Sequence, residues 1–122
     1  MKPAALLVYV PDVKLGLAWY QKAFPSAKAV YLESFDFTVL HLDDFSLEIV
    51  QADEKVCSGT KGSVLYWSVP SLAVAIEHFS ELGAELYRAP MLIENGLAMC
   101  QLRDPFGNLI GLRGEYNGCH RV

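Results

Sequence analysis

The sequence predicts an α+β fold built from two tandem βαβββ modules, whose curved mixed sheets surround a cleft. Three observations predict it. A strand-turn-helix pattern at the start recurs about halfway along. Each copy is followed by three further strand-like runs. A polar, aperiodic stretch separates the copies.

In the first copy, Leu6 to Val10 is apolar and β-branched enough for a buried strand. Pro11-Asp12 then opens a segment with apolar residues at Val13, Leu17, Tyr20 and Phe24, which is helical spacing. Pro25 and Ser26 stop it. Ala29 to Glu33, Phe37 to Leu42 and Phe45 to Val50 follow as strands, the last two joined at Asp43-Asp44. Gln51 to Gly62 is the connector. Val64 to Val69 then repeats the first strand and Pro70-Ser71 the turn. Leu72, Ala75, Ile76, Phe79 and Leu82 form the second apolar stripe, ended by Gly83.

The repeat holds residue by residue. Setting Val10-Pro11 on Val69-Pro70 gives an offset of 69 − 10 = 59, which also places Leu17 on Ile76 and Tyr20 on Phe79. Strands near Ala84 to Tyr87, Leu97 to Arg103 and Asn108 to Arg113 complete the second copy. There Leu47-Glu48-Ile49 falls on Ile110-Gly111-Leu112, an offset of 110 − 47 = 63, because the last turn is longer. The expected organisation is one domain over 1–114, with module one at 4–51, module two at 62–114, and a polar tail at 115–122. One helix per module covers one sheet face, so the other face must be buried against the second module, another subunit or a ligand. Strand alternation assigns Ala5, Leu7 and Tyr9, and Val64, Tyr66 and Ser68, to that uncovered side.

Composition sets the functional bounds. With 52% apolar and 20% charged residues, the chain has material for a core and is neither disordered nor collagen-like. A net charge of −4 with both signs interspersed argues against a nucleic-acid surface. No apolar run approaches the roughly 20 residues of a membrane span, and Ala4 to Val10 is too short for a signal peptide. The expected location is the cytoplasm, with no membrane or nucleic-acid partner. Cys57, Cys100 and Cys119 are too few and too scattered for a disulfide framework or a CxxC motif.

The paired βαβββ units, the Val10-Pro11-Asp12 turn, and above all Arg103-Asp104-Pro105-Phe106-Gly107-Asn108 before the last strand resemble the vicinal oxygen chelate superfamily. That group includes glyoxalase I, extradiol dioxygenases, fosfomycin-modifying enzymes and bleomycin-binding resistance proteins. The resemblance extends to Gly114. It implies a divalent metal held from the first and last strands of each module, usually by His, Glu, His and Glu. The matching positions here are Ala5, Glu48, Val64 and Gly111, of which only Glu48 can bind a metal. A catalytic zinc normally keeps three protein ligands, so the expected protein has no metal and no cofactor. Its expected function is to bind a small, partly aromatic or cationic ligand in the cleft as a homodimer, with bleomycin sequestration as the nearest analogy. The alternative is a lyase or dioxygenase of the same superfamily with a non-standard ligand set.

Individual side chains each carry a functional and a structural reading. Pairing Leu42 with Phe45 across the first hairpin puts His41 opposite Ser46 and diagonal to Glu48. Those two are candidates for acid-base work or for a polar pair in a binding cleft. Pairing Arg103 with Asn108 puts Cys100 opposite Gly111 and Ala98 opposite Arg113, all toward the cleft. Cys100 is then a candidate ligand contact or a small buried hydrophobe, and Arg113 a carboxylate or phosphate clamp or a solvated strand end. Tyr9, Phe37 and Tyr66 are candidates for stacking on a planar or cationic ligand, or for core. Trp19 and Trp67 read as core, His78 as exposed, and Cys119 with His120 as part of the tail.

Overall fold

A computed structural model describes residues 2–54, 57–60 and 63–117. Cys119, His120 and most of the polar tail, with Lys55, Val56, Lys61 and Gly62 of the connector, lie outside them. The chain divides into two compact units, one ending at Ser58 and the other beginning at Gly59.

The first unit runs β1 (Ala5–Val10), α1 (Val13–Ala23), β2 (Lys28–Leu32), β3 (Phe37–Leu42) and β4 (Phe45–Gln51). Its sheet order is β1-β4-β3-β2, with β1 parallel to β4 and the other pairs antiparallel. The second unit repeats this as β5 (Tyr66–Ser71), α2 (Leu72–Glu81), β6 (Glu85–Leu92), β7 (Leu97–Arg103) and β8 (Leu109–Glu115), ordered β5-β8-β7-β6. The helices begin alike. Asp12 Oδ1 accepts from Leu15 N at 3.2 Å and Ser71 Oγ from Val74 N at 3.3 Å, each satisfying an N–H that the first helical turn leaves free.

Helix α1 buries Gly16, Tyr20 and Ala23 against Val10, Leu47 and Ile49. The approach is close because position 16 has no side chain. A Cβ there would stand 2.9 Å from methyl groups of both Val10 and Ile49. The repeat offset places Ala75 at the corresponding site of α2, which buries Leu72, Ala75 and Phe79 over Ala98, Cys100, Leu102, Ile110 and Leu112. His78, expected to be exposed, is half-buried with its ring edge-on to Phe79 at 5.3 Å.

Three strand expectations are corrected. β5 begins at Tyr66, not Val64, and extends through Pro70 to Ser71. It is an edge strand, where a missing N–H breaks no ladder, and the irregularity between Val69 and Ser71 absorbs the proline. β6 runs on to Leu92 through Arg88-Ala89-Pro90, again at an edge and across two register shifts. The third correction is the register of the β7–β8 hairpin. Asp104 N donates to Asn108 O at 2.8 Å, so these two residues close the loop, and Gly107 takes a left-handed φ of 94° within it. A three-residue loop with such a glycine moves every pair by one relative to the expected Arg103–Asn108 pairing. Arg103 pairs with Leu109, Cys100 with Leu112, Met99 with Arg113 and Ala98 with Gly114.

This loop explains the Asp-Pro-Phe-Gly-Asn motif. The Asp104 carboxylate is buried and accepts from the backbone N–H of both Phe106 and Asn108 at 2.8 Å. Asn108 Oδ1 accepts from Gly59 N at 3.1 Å, fastening the connector to the loop. Asp104→Ala leaves two N–H groups without their acceptor. It is expected to lower the urea-unfolding free energy by about 2–4 kcal/mol, with Asp104→Asn losing less because it retains an oxygen.

Candidate functional site

The face of the first sheet opposite α1 carries no helix of its own unit. Register and strand alternation place Leu7 and Tyr9 of β1, Ser46 and Glu48 of β4, and Phe37, Val39 and His41 of β3 on this side. Glu48 is half-buried with Leu7 as its register partner on β1. Its carboxylate Oε2 accepts from Ser46 Oγ at 2.9 Å. His41 pairs with Ser46 as the sequence predicts and is exposed. The hydrogen bond that orients Glu48 therefore comes from Ser46, which the sequence reading passed over. The period-two spacing of Ser46 and Glu48 on one strand was the available signal.

On the second sheet a row of register partners crosses the helix-free face, starting from the first residue of β5. Tyr66 of β5 is the register partner of Gly111 on β8, and Gly111 of Gln101 on β7. The Tyr66 ring lies on Gly111, where an added Cβ would stand 2.6 Å from ring atom Cδ2 and 2.9 Å from the Leu65 carbonyl oxygen. Gln101 Nε2 donates to Tyr66 Oη at 2.8 Å. The Arg113 guanidinium stands 6.0 Å from the ring centroid, at the outer range of a cation–π contact. Gln101 was absent from the sequence candidates, because its partnership with Tyr66 depends on the corrected register.

Cys100 is not on this face. The one-residue change of register pairs it with Leu112 among residues beneath α2, and it is 2% exposed. Burial pushes its thiol from the ordinary 9.0 up to about 11. Cys57 is exposed. At pH 8 a thiol reagent is expected to modify Cys57 quickly in the folded protein, and Cys100 only once the chain unfolds. A raised folded-state value means that the neutral thiol stabilises the fold fully below about pH 9 and that this contribution is lost as pH rises through about 11. Cys100→Val should therefore lose less stability than the wild type between those limits, compared by urea titration.

The positions that would hold a metal do not fit one. Ala5 is a hydrocarbon at the start of β1, Val64 precedes β5, and Gly111 lies beneath an aromatic ring that fills the space a ligand side chain would need. Among the described residues no three of His, Cys, Asp and Glu are grouped so as to hold a metal ion. No helix of the described residues is long and apolar enough to cross a membrane.

No family model and no curated protein matches the chain. Solved structures do. A glyoxalase/bleomycin resistance protein/dioxygenase family enzyme from Burkholderia phytofirmans PsJN is 19% identical, with a TM-score of 0.73 over 91% of this chain and 96% of its own. A glyoxalase-related enzyme from Fulvimarina pelagi is 16% identical, with a TM-score of 0.73 over 96% and 88%. The fosfomycin resistance protein FosX from Listeria monocytogenes is 15% identical, with a TM-score of 0.74 over 93% and 90%. The chain thus has the paired βαβββ fold of these glyoxalase-like, bleomycin-resistance and fosfomycin-resistance structures, the fold of the vicinal oxygen chelate superfamily.

Proposed function

We propose that the protein binds a small, partly aromatic molecule over its helix-free sheet faces without a metal ion, and does so as a homodimer. The observation that carries this reading is the exchange at the fourth metal position. In place of a carboxylate there is a glycine, and the space is taken by the Tyr66 ring, which provides a stacking surface. Glu48 is the half-buried acid of the first face, suited to a cationic substituent, with Lys28 at the far edge opposite His41. Dimerisation accounts for Phe35, Met91 and Leu92, apolar side chains that are 78%, 60% and 57% exposed.

The test is a thermal-shift panel of cationic antibiotics, α-oxo thiol adducts and catechols, with and without divalent metals, and sedimentation for the dimer. A ligand at one hundred times its Kd should raise Tm by about 10 °C, equally well after chelation. Glu48→Gln should weaken a cationic ligand by about tenfold or more. If Glu48→Gln abolishes a turnover while binding is kept, the enzyme reading replaces this one. A stoichiometric divalent ion whose removal abolishes binding would overturn the metal-free reading. A silent panel would favour a module that binds another protein.

A further inference from the structure

We infer that the helix-free face of the second sheet is a subsite for a planar carboxylate, with the Tyr66 ring as its floor and the Arg113 guanidinium as its anion partner. This rests on the small-molecule reading above and reverses the charge expected near Tyr66.

The floor is fixed in advance. Gly111 leaves room for the ring against β8, and Gln101 Nε2 donates to the phenol oxygen at 2.8 Å, so stacking a ligand costs little further ordering of the tyrosine. Tyr66 and Gln101 are half-buried and Arg113 is exposed, so the ring and the guanidinium are open to a ligand together.

The charge decides what stacks there. Arg103, elsewhere on the same sheet, has its acid, with Nη2 3.3 Å from Glu85 Oε1. Arg113 forms no ion pair with any carboxylate of the described residues, and Glu115, two residues along β8, is no exception. At 6.0 Å its guanidinium engages the ring too weakly to occupy its donors, which can meet a carboxylate through two parallel hydrogen bonds. Arg88 stands opposite Gln101 on β6 and adds charge of the same sign. An aromatic cation would bring its charge beside Arg113, whereas an aromatic carboxylate puts its ring on Tyr66 and its anion on the fork.

Titration of the full chain by two-dimensional amide NMR with benzoate, benzamidine and benzyl alcohol tests this. Benzoate is expected to give saturable shifts at Tyr66, Gly111, Arg113 and the Gln101 side-chain amide, and benzamidine none there. Arg113→Gln should weaken benzoate by about tenfold or more, and Arg113→Lys by less. Retention of the fold is read from the same spectra. Benzamidine or benzyl alcohol binding these residues as tightly as benzoate, or Arg113→Gln keeping benzoate affinity, overturns the subsite and leaves the small-molecule reading standing. Failure of benzoate alone overturns the subsite as well, and failure of all three together with a silent thermal-shift panel ends both.

Discussion

Gly114→Ala is expected to cost about 3 kcal/mol or more and to break the pairing of β5 with β8. The added Cβ would stand 2.3 Å from the Val69 carbonyl oxygen and 2.9 Å from the Val69 Cγ2 methyl. The first of these is backbone and cannot swing away, so two strands must part. Gly114 does not have the left-handed backbone that favours glycine, so the whole cost is steric. Gly107→Ala is the contrasting case. At Gly107 φ is 94° and nothing stands within 4 Å of an added Cβ, so the expected loss of about 1–2 kcal/mol is conformational. Urea unfolding followed by tryptophan fluorescence compares them, with Trp19 in the first unit and Trp67 beside the affected pairing in the second. Equal losses from the two alanines would refute the close approach at Gly114.

The second large effect is Leu112→Ala, expected to lower stability by about 3–4 kcal/mol and Tm by about 10 °C or more. Leu112 is 0% exposed, with Trp67 and Cys100 as its register partners on either side. Truncation removes three carbons from a layer closed by α2 and leaves a cavity that a rigid sheet cannot collapse around. Arg113→Ala, one residue along on the opposite face, should stay within about 0.5 kcal/mol. That alternation is measured by equilibrium unfolding of the two variants. A comparable loss from both would mean that the strand does not present alternate residues to core and solvent.

The sequence was most readable where a single period ran uninterrupted. β3 (Phe37–Leu42) and β7 (Leu97–Arg103) have the bounds the sequence predicts, and the Leu42–Phe45 pairing agrees with the structure. The repeat offset also carries through to detail, with Asp12 and Ser71 capping helices that start at equivalent places. Elsewhere one residue's conformation outweighed the pattern. Gly107 set the second hairpin by adopting a left-handed φ, which nothing in the alternation of β7 or β8 reveals, and Cys100 changed faces as a result. The strand expected near Ala84 to Tyr87 runs on through Pro90, which sits at a sheet edge where its lack of an N–H does no harm. Of the site candidates, Glu48, His41, Tyr66 and Arg113 followed from strand parity. Ser46 had its signal in the period-two spacing from Glu48, whereas Gln101 had none, because its partnership with Tyr66 follows the register that Gly107 sets.

The ring over Gly111 also constrains how this surface can change by mutation. Glycine and glutamate codons can differ by a single base, so gaining an acid at position 111 looks like a short step. With Tyr66 in place the new side chain has nowhere to start, since its first carbon would meet the ring at 2.6 Å and the Leu65 carbonyl at 2.9 Å. The tyrosine must shrink first, which gives up the Gln101 hydrogen bond and the Arg113 contact before anything is gained. An acid at position 111 is therefore reached only through a prior change at position 66, a path that is uphill at its first step because of the shape of one aromatic side chain.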